Sequence, residues 1–309
     1  MSLAIGPVVE LYRYLLQPVA PFTWFGQNIS TLDVLAIFRL CIVLRQFKEG
    51  LHKAHVAKAG HAVVEPRSFV RDAAATLTVV YGGEVITAPL LGVPPSFMVS
   101  GVVPALYAAG QAIVEHLPAV PVPQLTNELP LALLDGLTRA YLLCNLIPPV
   151  VVKHASETIA TSPWTLLITS FLTVIFFSVS SLPTNGGFFF TGLFSLLHPS
   201  SISVATPGEL LPYGWTTTDL WCAPLITGLF ATLTHAQPFW ADTHAVLSGW
   251  LGYASAPGVE KIAPVDPETA RAVCAVILAS LFTTRVLKNF GVLTLGKPAE
   301  KRQVKEKTQ

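Results

Sequence analysis

Charge is what this chain has least of. Asp, Glu, Lys and Arg make up 12% of its 309 residues, against roughly 25% in a soluble domain. With 52% hydrophobic residues and a mean hydropathy of +0.58, that scarcity excludes an ordinary soluble domain and indicates a polytopic membrane protein. Cysteine is also rare. The four present (Cys41, Cys144, Cys222, Cys274) lie in apolar segments without paired spacing. They read as small core hydrophobes, not as a disulfide framework or a metal site. A nucleophile–base constellation, a phosphate-binding glycine loop and zinc spacing are all missing, so neither an enzyme nor a cofactor is expected. Nor does anything point to nucleic acid. Residues 1–16 lack a short apolar core with a small-residue cleavage site, so no cleaved signal peptide is expected.

Apolar length, by contrast, is abundant, enough for about six to eight spans of roughly 20 residues. The expected fold is an all-α membrane protein with seven transmembrane helices, forming one transmembrane domain over residues 1–309. The spans run Thr31 to Phe47, Asp72 to Gly92, Phe97 to Leu117, Leu131 to Val152, Pro163 to Leu197, Thr217 to Trp240 and Glu268 to Phe290. A proline-rich linker, Pro118 to Pro130, precedes span four, and a stretch containing Gly, Ala and Ser follows span six to Pro257. Span five, at about 35 residues, is too long for one straight crossing, so a break at Pro183 to Gly187 is expected.

Charge placement sets the orientation. Thirteen of the nineteen Lys and Arg fall in two places, six from Arg45 to Arg71 and seven from Arg285 to Lys307. The positive-inside rule assigns both to the cytosol, so an even number of spans separates them. Spans two to seven make six. The N-terminus is therefore expected in the lumen, and the basic tail, residues 291–309, in the cytosol. The sequon Asn28-Ile29-Ser30 would face the lumen close to span one.

Two glycine pairs interrupt this apolar sequence, Gly82-Gly83 followed by Glu84, and Thr184-Asn185 followed by Gly186-Gly187. Each glycine costs a helix interior roughly 1 kcal/mol relative to Ala. In a bilayer the freed backbone groups need protein or a water-filled cavity. Interruptions at matching places in two halves point to an ion or substrate path. The other reading is a notch that lets neighbouring helices approach. With the pairs as anchors, residues 31–117 and 131–240 form two three-helix repeats. An odd number of helices per repeat inverts the second relative to the first, leaving residues 268–290 as a seventh helix.

The string from Tyr81 to Pro94 (Tyr-Gly-Gly-Glu-Val-Ile-Thr-Ala-Pro-Leu-Leu-Gly-Val-Pro), with Gly186-Gly187 and Trp215 to Leu233, resembles the trimeric intracellular cation channel family. That resemblance runs from about Thr31 to Phe290. It implies seven helices in two inverted repeats plus one, and a homotrimer with a pore in each subunit, lined mainly by helices two and five. It also implies monovalent cation flux, chiefly potassium, balancing charge when another ion leaves an internal store. One departure is Thr184, where the family carries a lysine just before the glycines. Carbonyls at a glycine break are hard ligands for a dehydrating cation. Glu84 would add charge that favours cations, or serve as a structural carboxylate paired with Arg139 or a backbone donor.

The remaining polar residues read more simply. Asp135 and Arg139, four apart on span four, suit a neutralising pair. Arg139, with Lys153, is alternatively a candidate for anionic lipid headgroups. Asp219 suits a helix start, and His52, His55 and His61 suit a solvated basic face that would attract anionic lipids. Lys305 and Lys307, five and three places from the end, match a dilysine retrieval signal for the endoplasmic reticulum. Two rivals stay open, a secondary transporter with a proton or sodium site at Glu84, and a non-conducting scaffold suited by the Phe188–Phe190 run.

Overall fold

The computed structural model describes residues 2–60, 68–175, 190–202, 212, 218–252 and 262–292. Thr184, Asn185, Gly186, Gly187, Lys305 and Lys307, with the break expected in span five, lie outside them. Among the described residues the fold is all-helical, with two isolated backbone bridges and no strand. The helices are α1 (Ser2–Leu15), α2 (Thr31–Ala59), α3 (Phe69–Leu90), α4 (Ser96–Val99), α5 (Val102–His116), α6 (Leu125–Tyr141), α7 (Ile147–Val152), α8 (Glu157–Thr161), α9 (Pro163–Ile175), α10 (Phe190–Leu197), α11 (Thr218–Thr234), α12 (Pro238–Trp250) and α13 (Pro267–Asn289). Three helices are long and apolar enough to cross a membrane: Phe69–Leu90, the continuous Leu125–Val152, and Pro267–Asn289. Pro163–Val174 and Trp221–Thr234 are shorter apolar helices. The outer faces of the long helices stay apolar, with Val85, Ile86, Leu133 and Val276 uncovered by the rest of the chain.

Local chemistry sets the helix ends. Ser30 and Asp33 form a capping box that starts α2, and Gly60 in the left-handed region closes it. Asp266 accepts the Thr269 N–H ahead of Pro267, where a missing N–H costs nothing. Residues 142–146 form a π turn joining α6 to α7, just before Pro148 and Pro149. There the Ile147 N–H reaches back to the Leu142 carbonyl, and the freed Leu143 carbonyl accepts the Thr227 hydroxyl of α11 at 3.4 Å. A neighbouring helix thus repairs the interruption, as a bilayer requires.

Several expected boundaries move. The helix that carries span one extends beyond Phe47. The helix continues to Ala59, because residues 48–59 are good helix formers and Arg45 and Lys48 find partners inside the fold. Span three divides at Ser100-Gly101 into α4 and α5. The proline-rich linker ends early, at Leu125, since Pro130 sits near the start of α6, where its missing N–H is tolerated. The helix of span six ends at Thr234, and a separate helix, α12, starts at Pro238 within its expected last residues and continues to Trp250. The N-terminal residues, ahead of the first expected span, form α1, whose Tyr12 is fully buried and donates to the Leu137 carbonyl at 2.7 Å. All four cysteines are buried, as their apolar surroundings indicate.

Contact register gives the helix directions. Asp72 at the start of α3 meets Lys48 late in α2, and Glu115 at the end of α5 meets the same lysine. So α3 runs antiparallel to both. Gly83 packs on Leu172 and Thr173, while Leu91 packs with Leu166, making α3 and α9 antiparallel. One end of the bundle gathers Leu91, Val151, Leu166 and Ala231. The other gathers Phe47, Ala75, Val114, Phe194 and Ile202.

Candidate ion path

The first glycine pair is not a break. Helix α3 runs without interruption from Phe69 to Leu90, through both glycines. A Cβ built on Gly83 would lie 2.5 Å from the Thr173 Cα and carbonyl oxygen and 2.7 Å from the Leu172 carbonyl oxygen. The glycine lets the α9 backbone come that close, and the close packing compensates for the weak helix propensity. At this pair the packing reading replaces the break, and no α3 carbonyl is released there by unwinding. Gly82 is half-buried beside it.

Glu84 turns away toward the following loop. Its carboxylate accepts the Ser96 N–H at 2.6 Å and the Ser96 hydroxyl at 2.8 Å. Of its two expected roles this is the structural one, a carboxylate on a backbone donor at the start of α4. Above it, Tyr81 is buried against Phe97, rings 5.1 Å apart, and its hydroxyl has no hydrogen-bond partner among the described residues. A buried unpaired hydroxyl costs about 1–3 kcal/mol and asks for a ligand or water.

The buried face of α3 carries three polar side chains at helical spacing, Asp72, Thr76 and Thr87, with the Gly83 notch between the last two. At its first turn lies a cluster that sequence reasoning missed. The Lys48 ammonium is 2.7 Å from Asp72 Oδ1 and 3.4 Å from Glu115 Oε1, with side chains 20%, 6% and 15% exposed. The Gln111 amide donates to Glu115 at 2.9 Å, and the Thr76 hydroxyl lies 2.9 Å from the Gln111 oxygen. His198, after α10, stands 3.8 Å from Asp72. Nearby Arg45 is turned to Glu49 and to the Leu117 carbonyl at the end of α5. One ammonium thus faces two carboxylates, an excess of one negative charge. The only signal was the spacing of Asp72 with Thr76 and Gln111 with Glu115, each four apart on a helix.

The expected pair on span four is rearranged. Asp135 accepts from Arg39 of α2 with both oxygens, at 3.0 Å each, and Glu128 stands 3.8 Å from the same guanidinium. A bidentate fork between two helices is stronger than an i,i+4 contact along one. Arg139 instead lies over the Phe282 ring of α13, 5.0 Å from its centre, with Arg285 on that ring at 4.8 Å. Arg139 is buried, whereas Lys153 is exposed at the end of α7. Fourteen residues along one helix separate them by about 21 Å, so the structure does not bring these two lipid candidates together. His52 also leaves the expected basic face, with its Nδ1 3.2 Å from the Ser201 carbonyl.

No protein-family model, curated protein or solved structure matches the chain.

Proposed function

We propose that this protein is a monovalent cation channel of an intracellular membrane, with potassium as the principal ion, assembled as a homotrimer in the manner of the family its second-helix string resembles. Seven spans in two inverted three-helix repeats plus one remain part of that reading, and the alternating helix directions support them. The observation that carries it is the row of three polar side chains on the buried face of α3, Asp72, Thr76 and Thr87, a face packed against α9 at Gly83. Ionisable and hydroxyl groups turned into a membrane bundle mark pathways more often than scaffolding. The negative excess at Lys48, Asp72 and Glu115 favours cations at one mouth. Compensating flux across a store membrane, with endoplasmic reticulum retrieval through Lys305 and Lys307, is the physiological setting this reading implies.

The test is recording of purified protein in planar bilayers under a potassium chloride gradient. Unitary currents with a reversal potential on the cation side are expected, shifted toward zero by Asp72→Asn. Silence across voltages, with the fold intact, returns the chain to its second reading, a non-conducting scaffold. Two observations favour that rival, the unbroken α3 and a Glu84 already held by Ser96. Saturable uptake coupled to protons or sodium would instead identify a transporter.

A further inference from the structure

Between Arg13 and Asp33 the chain carries no charged residue. The segment that joins α1 to α2 is nevertheless ordered by its own backbone. Val19 N–H bonds the Ile29 carbonyl at 2.8 Å, and Trp24 and Gln27 exchange both backbone hydrogen bonds at 2.8 and 2.9 Å. The two residues at the tip, Phe25 and Gly26, have φ of 47° and 83°. Positive φ at both central positions of a two-residue turn suits Gly, Asn or Asp, and a bulky side chain there is strained. Yet Phe25 is 95% uncovered, with Phe22 and Trp24 in ring contact beside it at 5.1 Å. A strained turn that leaves Phe25 almost wholly uncovered by the described residues, with Phe22 and Trp24 about half uncovered beside it, calls for an external apolar phase.

The position of the turn indicates which phase. Arg13 at the end of α1 pairs with Glu268 at 2.8 Å, and the Val265 N–H bonds the Leu233 carbonyl. These contacts bring the turn to the bundle end where α11 finishes and α9 starts. The same end bears Trp164 on α9 and Phe239 at the start of α12, both uncovered. An aromatic collar at one end of a bundle with apolar outer faces is the signature of a membrane–water boundary, where ring bodies sit among acyl chains and polar edges stay wet. We infer that the Val19–Ile29 turn is a membrane-interface anchor, inserted at the headgroup–acyl boundary of the bilayer that surrounds the helices. The inference rests on membrane embedding and is independent of ion conduction.

The full-length Phe25→Cys variant, labelled with an environment-sensitive dye and reconstituted in phosphatidylcholine vesicles, tests this. The four native thiols are buried, and unlabelled parent serves as the blank. Blue-shifted emission, quenched more strongly by lipid carrying a nitroxide at acyl carbon 5 than at carbon 12, is expected. Water-like emission, unquenched by either lipid, would overturn the inference. So would a blue shift that ignores both nitroxides and disappears on diluting protein in lipid, which would assign the turn to a contact between copies of the chain. Phe22→Cys, outside the strained positions, repeats the reading if Phe25→Cys fails to fold.

Discussion

At the scale of single residues, the membrane interior penalises an unmatched charge more than any other defect. Arg39 illustrates the consequence. Its guanidinium is buried and held by both oxygens of Asp135, with Glu128 nearby. Removing one member of a buried ion pair leaves the other charge uncompensated, at about 3–5 kcal/mol, while an apolar replacement of both is often neutral. Asp135→Ala is therefore expected to lower thermal stability in detergent severely, whereas Arg39→Met with Asp135→Leu, made in a Glu128→Gln background so that no buried carboxylate loses its cation, recovers most of the loss. Thermal unfolding followed by intrinsic tryptophan fluorescence measures both. Equal instability of the single and double variants would mean that the pair specifies the α2–α6 contact instead of merely neutralising itself. Sequence spacing could not reveal this pair, because Asp135 had a closer candidate in Arg139 on the same helix. Its true partner is 96 residues away.

At the scale of elements, what was legible depended on where the signal lay. The apolar runs located α3 to within about three residues at its ends and α13 to within about one, the latter helped by Pro267 at its start. Helix α12 was not legible, since its aromatic and small residues show no clear helical stripe. The end of α2 was misplaced because Arg45 and Lys48 look like loop charges until their partners are known. The glycine pair was visible but its meaning was not, since a break and a notch share one sequence. Close approach between α3 and α9 decides it in favour of a notch. Gly83→Ala forces a Cβ against backbone atoms of Thr173 and Leu172, which cannot rotate aside as a side chain would. Overpacking of this kind costs roughly 1–3 kcal/mol, and Gly83→Val more. The expected result is a lower unfolding temperature together with faster hydrogen exchange in both α3 and α9. If alanine instead raised stability through helix propensity, the two backbones would have to separate readily, and the tight α3–α9 contact would not hold the bundle.

At the scale of the molecule, the two ends of the bundle are chemically unlike, and that asymmetry bears on orientation. One end carries Lys48, Asp72, Glu115 and His198, close to most of the basic residues of α2 and the start of α3. The other carries the aromatic turn, Trp164 and Phe239, with few cations. Basic residues near helix ends hold their side of the membrane in the cytosol. Pairing Lys48 and Arg45 inside the fold weakens their share of that bias, yet Lys53, Lys58 and Arg71 remain at the same end. Helix α13 starts at the aromatic end, beside α1, and delivers Arg285 and Lys288 to the basic one. The orientation expected is an N-terminus in the lumen and a C-terminus in the cytosol. Epitope tags at each end, probed with protease in sealed microsomes, measure it directly. The C-terminal tag should be cleaved and the N-terminal tag protected until detergent opens the vesicle. Protection of the C-terminal tag would reverse the whole assignment, placing the Lys48–Asp72–Glu115 cluster in the lumen and removing Lys305 and Lys307 from any cytosolic retrieval receptor.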